Sequence, residues 1–292
     1  MANDGVLRVV QLNMGSLLEP EWDRRRHEVL AWFDILDPDV VCLQEVWESE
    51  DSPNTAGWLV EHSPAGSWHW CFGGLPLPDV LWPDPSVRFG SAILSRWPID
   101  HHELLPLPVD AESPNPFRRL AMELLHARTA GVDVFSTHTA PEPAHAFHRL
   151  RQVLFIDEMV RDRRDREAPM PPVLCGDFNA EPMSDEMRYL NANAVIDGRS
   201  TYYQDAWRAA GHTDAGWTQD PAGNPEYAKM RLPPKRIDYV WVGDCFLRPE
   251  GAGQVLAADL AFHTPKTGIL ASDHFGLSVD VRWPQRPGQS IQ

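Results

Sequence analysis

The chain has 292 residues, 43% of them hydrophobic, which is enough apolar content for a large buried core. It carries 42 acidic residues against 26 basic ones, a formal charge of −16, and its lysines are only Lys229, Lys235 and Lys266. Proteins that grip polymeric nucleic acid draw most of their affinity from neutralised phosphates, so this balance disfavours such a partner unless folding gathers scattered arginines into one groove. Leu7–Leu12 reads as an apolar strand that ends at Asn13. Trp22, Val29, Phe33 and Leu36 then share one stripe, which predicts a helix over 20–36 ended by Asp37-Pro38. Val40–Leu43 with Gln44 forms a second apolar strand, ending at Glu45. Residues 48–90 hold Trp58, Trp68, Trp70, Phe72 and Trp82 among prolines and glycines and read as a long aromatic loop, either a substrate platform or a satellite cluster pinning the loop down. A strand follows at 87–96, and another over Val132–Thr137 that ends at His138. Phe147, Leu150, Leu154 and Met159 predict a helix over 143–164, with the alternating charges of 161–166 as its solvated end. Met183–Asn191 is a third expected helix, with Ser184 as its cap.

Between the last two helices, Pro172–Cys175 runs into Gly176-Asp177-Phe178-Asn179. Alternation along a strand lets Asp177 and Asn179 share one face while Phe178 returns to the core. A carboxylate beside a neutral donor suits a site that activates a nucleophile and holds a phosphate oxygen; the same residues also suit an Asx turn closing a strand. The pattern recurs at Arg236–Val242, which carries Asp238, and at Ser272–Leu277, which carries Asp273 and His274. Glu45, at the end of an apolar strand, is costly to bury unless a hard cation or an arginine satisfies it. Cys42, Cys71, Cys175 and Cys245 lack metal-site spacing and read as small buried hydrophobes. With no apolar run of about 18 residues and no basic-then-apolar opening, the expectation is a soluble, unexported, cytoplasmic protein.

Taken in order, the Asn13 strand, Gln44-Glu45, Thr137-His138, Gly176-Asp177-Phe178-Asn179, Arg236-Ile237-Asp238-Tyr239 and Ser272-Asp273-His274 resemble the endonuclease/exonuclease/phosphatase superfamily of metal-dependent phosphoesterases. The resemblance spans about residues 6–281. It implies an α/β (α+β) four-layer sandwich, two packed mixed β-sheets flanked by helices, in one catalytic domain over 1–285 with a tail at 286–292. It implies that Asn13, Glu45 and Asp273 hold Mg2+ or Mn2+, that His274 faces the phosphate with Asp238 orienting it, and that His138 donates to a phosphate oxygen. Asp177 would activate the attacking water, Asn179 would stabilise charge on phosphorus, and either Asp177 or the Asp238–His274 pair is the base. Gly15 stands where abasic-site endonucleases carry an acid, and the segments after Asn179 and before Asp238 depart from inositol phosphate phosphatases, so no subfamily follows. The expected activity is hydrolysis of a small-molecule or lipid-headgroup phosphoester. A nuclease is the alternative, and a non-catalytic binding module of the same fold a second one.

Overall fold

The computed structural model describes residues 5–284 except 65 and 79; the expected tail at 286–292 lies outside the described residues. In chain order the strands are β1 (Val6–Asn13), β2 (Val40–Glu48), β3 (His69–Pro76), β4 (Arg88–Ser95), β5 (Ile99–Pro106), β6 (Glu123–Thr129), β7 (Val132–His138), β8 (Val173–Asp177), β9 (Tyr203–Asp205), β10 (Asp238–Gly243), β11 (Val255–Ala261) and β12 (Gly276–Arg282). The helices are α1 (Trp22–Leu36), α2 (Thr55–His62), α3 (Ala146–Arg163), α4 (Asp185–Leu190), α5 (Ala206–Ala209) and α6 (Pro225–Ala228). Two six-stranded sheets result, ordered β11-β12-β1-β2-β4-β3 and β5-β6-β7-β8-β10-β9. Each mixes parallel and antiparallel pairs, as expected of the four-layer sandwich.

Period-2 alternation builds the layers. Val9, Val40, Val134, Cys175, Val240 and Val279 face the partner sheet and fill the space between the two. Their neighbours turn outward: Val10, Leu12, Val41 and Leu43 pack under Val29 and Phe33 of α1, and Leu124, Phe135, Leu174 and Trp241 under Val153, Ile156 and Val160 of α3. Helix α1 stops where Asp37 takes a left-handed φ of 44° and Pro38 bars another turn. A 3-10 turn, Pro143–His145, leads into α3, and the Ser184 hydroxyl caps α4 as expected.

The stretch at 48–90 corrects the expectation of a long loop. It contains α2 and the edge strand β3, and Trp58 and Trp68 pack with the core beneath α1. Asn54 caps α2 by accepting from the N–H groups of Ala56 and Gly57, a start signal hidden among the prolines. Cys42, Cys71 and Cys175 are free and buried; Cys245 is half-buried and free.

Strand direction positions the site. β1 and β2 run parallel, as do β7 and β8, whereas β10 runs antiparallel to β8 and β12 antiparallel to β1. Residues that end β1, β7 and β8 therefore meet residues that begin β10 or precede β12. His138 and Asp238 are both register partners of Asp177.

Candidate active site

Glu45 owes its orientation to a bulge. The β2–β4 register shifts between Leu43 and Val46, and Glu45 sits at a left-handed φ of 56°. Such an irregularity re-aims side chains next to functional sites. Gln44 consequently points inward, where its Oε1 accepts from Gln11 at 2.7 Å and its Nε2 donates to Ser136 at 3.0 Å. Glu45 turns to a cleft of about 530 Å³ that also exposes His138, Asp177, Asn179, Asp273 and His274.

Asn13 joins the two halves of this cleft. Its Nδ2 donates to Glu45 Oε1 at 3.0 Å and to Asp177 Oδ2 at 3.0 Å, while its Oδ1 accepts from the Gly15 N–H at 3.1 Å. Sequence reasoning expected the Asn13 oxygen to serve a metal. Between two carboxylates only the donor end of the amide is satisfied, so the nitrogen faces them instead. Asp177 ends β8 behind Gly176, where a Cβ would stand 2.1 Å from the Thr137 carbonyl oxygen, so only glycine lets β7 and β8 close up there. The Asx turn is present: Asp177 Oδ1 accepts from the Asn179 N–H at 2.8 Å, and Asn179, at φ 48°, donates its Nδ2 to the Thr139 carbonyl at 3.0 Å, while both residues line the cleft. Phe178 returns to the core fully buried.

Across the cleft, His274 Nδ1 donates to Asp238 Oδ2 at 2.9 Å. Asp238 Oδ1 accepts from Gln11 at 3.0 Å, so both of its oxygens are committed. The other ring nitrogen, His274 Nε2, lies 2.9 Å from Gln219 Nε2, 3.9 Å from Asp177 and 3.8 Å from Asp273. His138 Nε2 stands 3.5 Å from Asp177 Oδ2, and its buried Nδ1 has no hydrogen-bond partner.

Burial and crowding of like charge set the proton affinities. Desolvation, then the Asp273 charge, push Glu45 up to about 7. Desolvation and Asp238 raise Asp177 to about 7, although His274 pulls the other way. Burial, with the neighbouring His274 charge, lowers His138 to about 3, so it is a neutral imidazole across the physiological range. Burial also works against His274, but Asp238 and Asp273 outweigh it and hold its imidazolium well above the ordinary histidine range.

Glu45 and Asp273 crowd their charges, and among the described residues no lysine or arginine is salt-bridged to either. Two hard oxygen donors in need of positive charge fit a divalent ion of the magnesium or manganese type. Ligand atoms of Asp177, Asp238 and His274 also lie within 4.8 Å of one another, but the internal hydrogen bonds just described already occupy that trio. Glu45 and Asp273, by contrast, each accept a single side-chain hydrogen bond among the described residues, from Asn13 and from Ser272.

Sequence reasoning missed several members. Gln11 and Gln44 were legible as polar residues inside apolar strands, whereas nothing in the linear order pointed to Gln219, Glu19, Arg149 or Arg25. Arg25 spends its buried guanidinium on five backbone carbonyls, those of Met14, Gly15, Glu19, Pro20 and Ala271, at 2.7–3.0 Å. It thus ties the loop after Asn13 to the loop that carries Asp273. Half-buried Glu19 adds a further carboxylate to the cleft, raised by burial and by Asp273. Arg236 does not reach the cleft, because its guanidinium grips buried Asp205 through two bonds of 2.8 and 2.7 Å. Trp58, Trp68, Trp70 and Trp82 do not line the cleft either, and Trp58 and Trp68 pack in the cluster beneath α1.

Two packed mixed sheets bring a histidine–aspartate pair, a second histidine and a set of carboxylates to one cleft, the architecture of the two-sheet α/β sandwich class. The chain belongs to the Endonuclease/Exonuclease/phosphatase family, whose model matches residues 10–274, and members of that family are in general divalent-metal-dependent hydrolases of phosphoesters. It is 30% identical over 151 residues to the uncharacterized protein YbhP of Escherichia coli strain K12, covering 48% of this chain and 53% of that one. The chain thus spans about half the length of the curated relatives it matches. Among solved structures it resembles D. rerio TDP2 complexed with single strand DNA product (TM-score 0.69, 17% identity, 95% of this chain and 99% of that one). It also resembles an endonuclease/exonuclease/phosphatase from Beutenbergia cavernae DSM 12333 (TM-score 0.66, 24% identity, 97% and 73%). At these identities the structures show a shared fold.

Proposed function

We propose that this protein hydrolyses a small phosphoester, diester or monoester, with Mg2+ or Mn2+ held by Glu45 and Asp273 and with Asn13 fixing Glu45 against Asp177. When bound, the cation would neutralise charge on the phosphate and polarise its oxygens. The supporting observation is the convergence of Asp177, His138 and the Asp238–His274 pair on one cleft beside those carboxylates. Asp177, with a proton affinity near neutrality, orients the attacking water and takes its proton. Neutral His138 and the Asn179 amide hold phosphate oxygens, and the His274 imidazolium, oriented by Asp238, donates toward the phosphate or the departing oxygen.

A small substrate is favoured over a polymer by charge at the cleft. Among the described residues its basic side chains other than histidines are Lys235 and Arg149, and Arg149 is spent on the Ala140, Glu142 and Pro143 carbonyls and on Glu186. The second reading is action on nucleic-acid ends, motivated by the fold shared with a TDP2 structure that holds single-stranded DNA product. Assays with bis-(4-nitrophenyl) phosphate, 4-nitrophenyl phosphate, plasmid and single-stranded oligonucleotide, with and without Mg2+ or Mn2+, test both readings. Metal-dependent release of nitrophenol with slow plasmid nicking is expected. No metal-dependent hydrolysis of any substrate would remove the enzymatic reading, and efficient, steeply salt-dependent cleavage of DNA would promote the second one.

A further inference from the structure

Above the reacting groups, one part of the cleft wall is aliphatic. Leu18 from the loop after β1, Met183 from the loop before α4, and Met230 and Leu232 from the segment after α6 are 60%, 78%, 45% and 39% exposed, and all four line this cleft. Single exposed apolar residues are ordinary on a protein surface. Four from three separate segments line the one cleft that Asp177 and His274 also line, and exposed apolar surface gathered in this way marks a binding surface. Pro141 and Pro143 extend it, and no tryptophan, tyrosine or phenylalanine lines the cleft among the described residues.

The composition of this wall says what covers it. Single-stranded nucleic acid binds by stacking bases on aromatic rings along a basic track, and among the described residues neither lines this cleft. Glu19 and Glu181 face the same space, so an acidic or polyanionic arm is repelled. Methionine and leucine without aromatic partners form a flexible surface that adapts to an aliphatic chain. We propose that one organic arm of the phosphoester is an aliphatic chain, and that Leu18, Met183, Met230 and Leu232 form the subsite that seats it. The proposal rests on the phosphoesterase reading and names the substrate class for that site.

A series of 4-nitrophenyl alkyl phosphates from methyl to octyl, each below its micelle concentration and assayed with Mg2+ or Mn2+, tests it. Each methylene moved from water onto an apolar wall strengthens binding by about two- to fourfold, so over the seven methylenes of the series kcat/KM is expected to rise at least about a hundredfold, chiefly through KM. In the variant carrying Leu18→Ser, Met183→Ser, Met230→Ser and Leu232→Ser the octyl-to-methyl ratio should fall toward one, with the melting temperature checked to exclude unfolding. A flat series in the unaltered protein, or a ratio that survives in the variant, overturns the subsite. Calorimetric binding of non-hydrolysable octylphosphonate against methylphosphonate separates the two levels of the argument: chain-dependent affinity without hydrolysis keeps the subsite and removes the catalytic reading, while equal affinities remove the subsite. Offering the octyl ester dissolved or embedded in neutral phospholipid vesicles distinguishes a free amphiphile from a membrane lipid, and faster turnover in either form supports the aliphatic arm.

Discussion

Replacing Asp238 by asparagine tests the reacting centre with the smallest change of shape. Asp238 is fully buried and accepts from His274 Nδ1 at 2.9 Å and from Gln11 Nε2 at 3.0 Å. A carboxamide offers one acceptor where two donors converge. Either Gln11 then faces an N–H, or His274 must give up its Nδ1 proton and become neutral, losing the charge-assisted bond that orients it. A charge-assisted hydrogen bond contributes about 1.5–3 kcal/mol, and a buried donor left unpaired costs about 1–3 kcal/mol. At about 1.36 kcal/mol per tenfold, Asp238→Asn should lower kcat by roughly 10²- to 10⁴-fold. Since Asp238 helps hold His274 protonated, the alkaline limb of the pH–rate profile should also move to lower pH in the variant. The sign for stability follows from the same raised value: the folded state favours the imidazolium, so its contribution is present below the ordinary histidine pKa and is lost as pH rises through the raised one. Steady-state hydrolysis of a nitrophenyl diester across pH 5–10, with a thermal melt of each protein, measures both effects. A kcat within tenfold of the unaltered protein together with an unmoved alkaline limb would refute the orienting role.

Three other outcomes follow from the geometry. Glu45→Gln should abolish most calorimetric affinity for Mg2+ or Mn2+ while preserving the fold; in the metal-free protein Glu45 is raised to about 7, so its ionisation costs stability from about pH 4.5 upward, and added metal should raise the melting temperature more at pH 8 than at pH 5. Asp205→Ala leaves the buried guanidinium of Arg236 without its bidentate partner and should destabilise the fold by about 3–5 kcal/mol in urea unfolding, a loss that Asp205→Asn should partly restore. Gly176→Ala drives a methyl group into the Thr137 carbonyl, and should cost about 1–3 kcal/mol and lower kcat, because the strand that must shift carries His138; unchanged stability would show that β7 and β8 are free to part.

Much of this protein was legible in order along the chain. Alternating apolar strands, the helix punctuation at Asp37-Pro38 and Ser184, and six polar clusters at strand ends follow from periods of 2 and 3.6, which local backbone geometry imposes without tertiary help. The stretch at 48–90 was misread because its prolines and glycines masked the Asn54 cap of α2 and the edge strand β3, whose pairing partner β4 comes later in the chain. Tertiary structure alone decided the rest. Antiparallel β10 and β12 carry Asp238 and His274, residues that precede or begin strands, to the end where Asn13, His138 and Asp177 finish theirs and where Glu45 sits at the bulge of β2. The bulge that turns Glu45 into the cleft, the five carbonyls that meet at Arg25, and the aliphatic wall of Leu18, Met183, Met230 and Leu232 join segments far apart in sequence. Side-chain type and period depend on nearest neighbours, so the sequence sets them; convergence depends on strand direction and pairing between distant segments, which only the packed sheets determine.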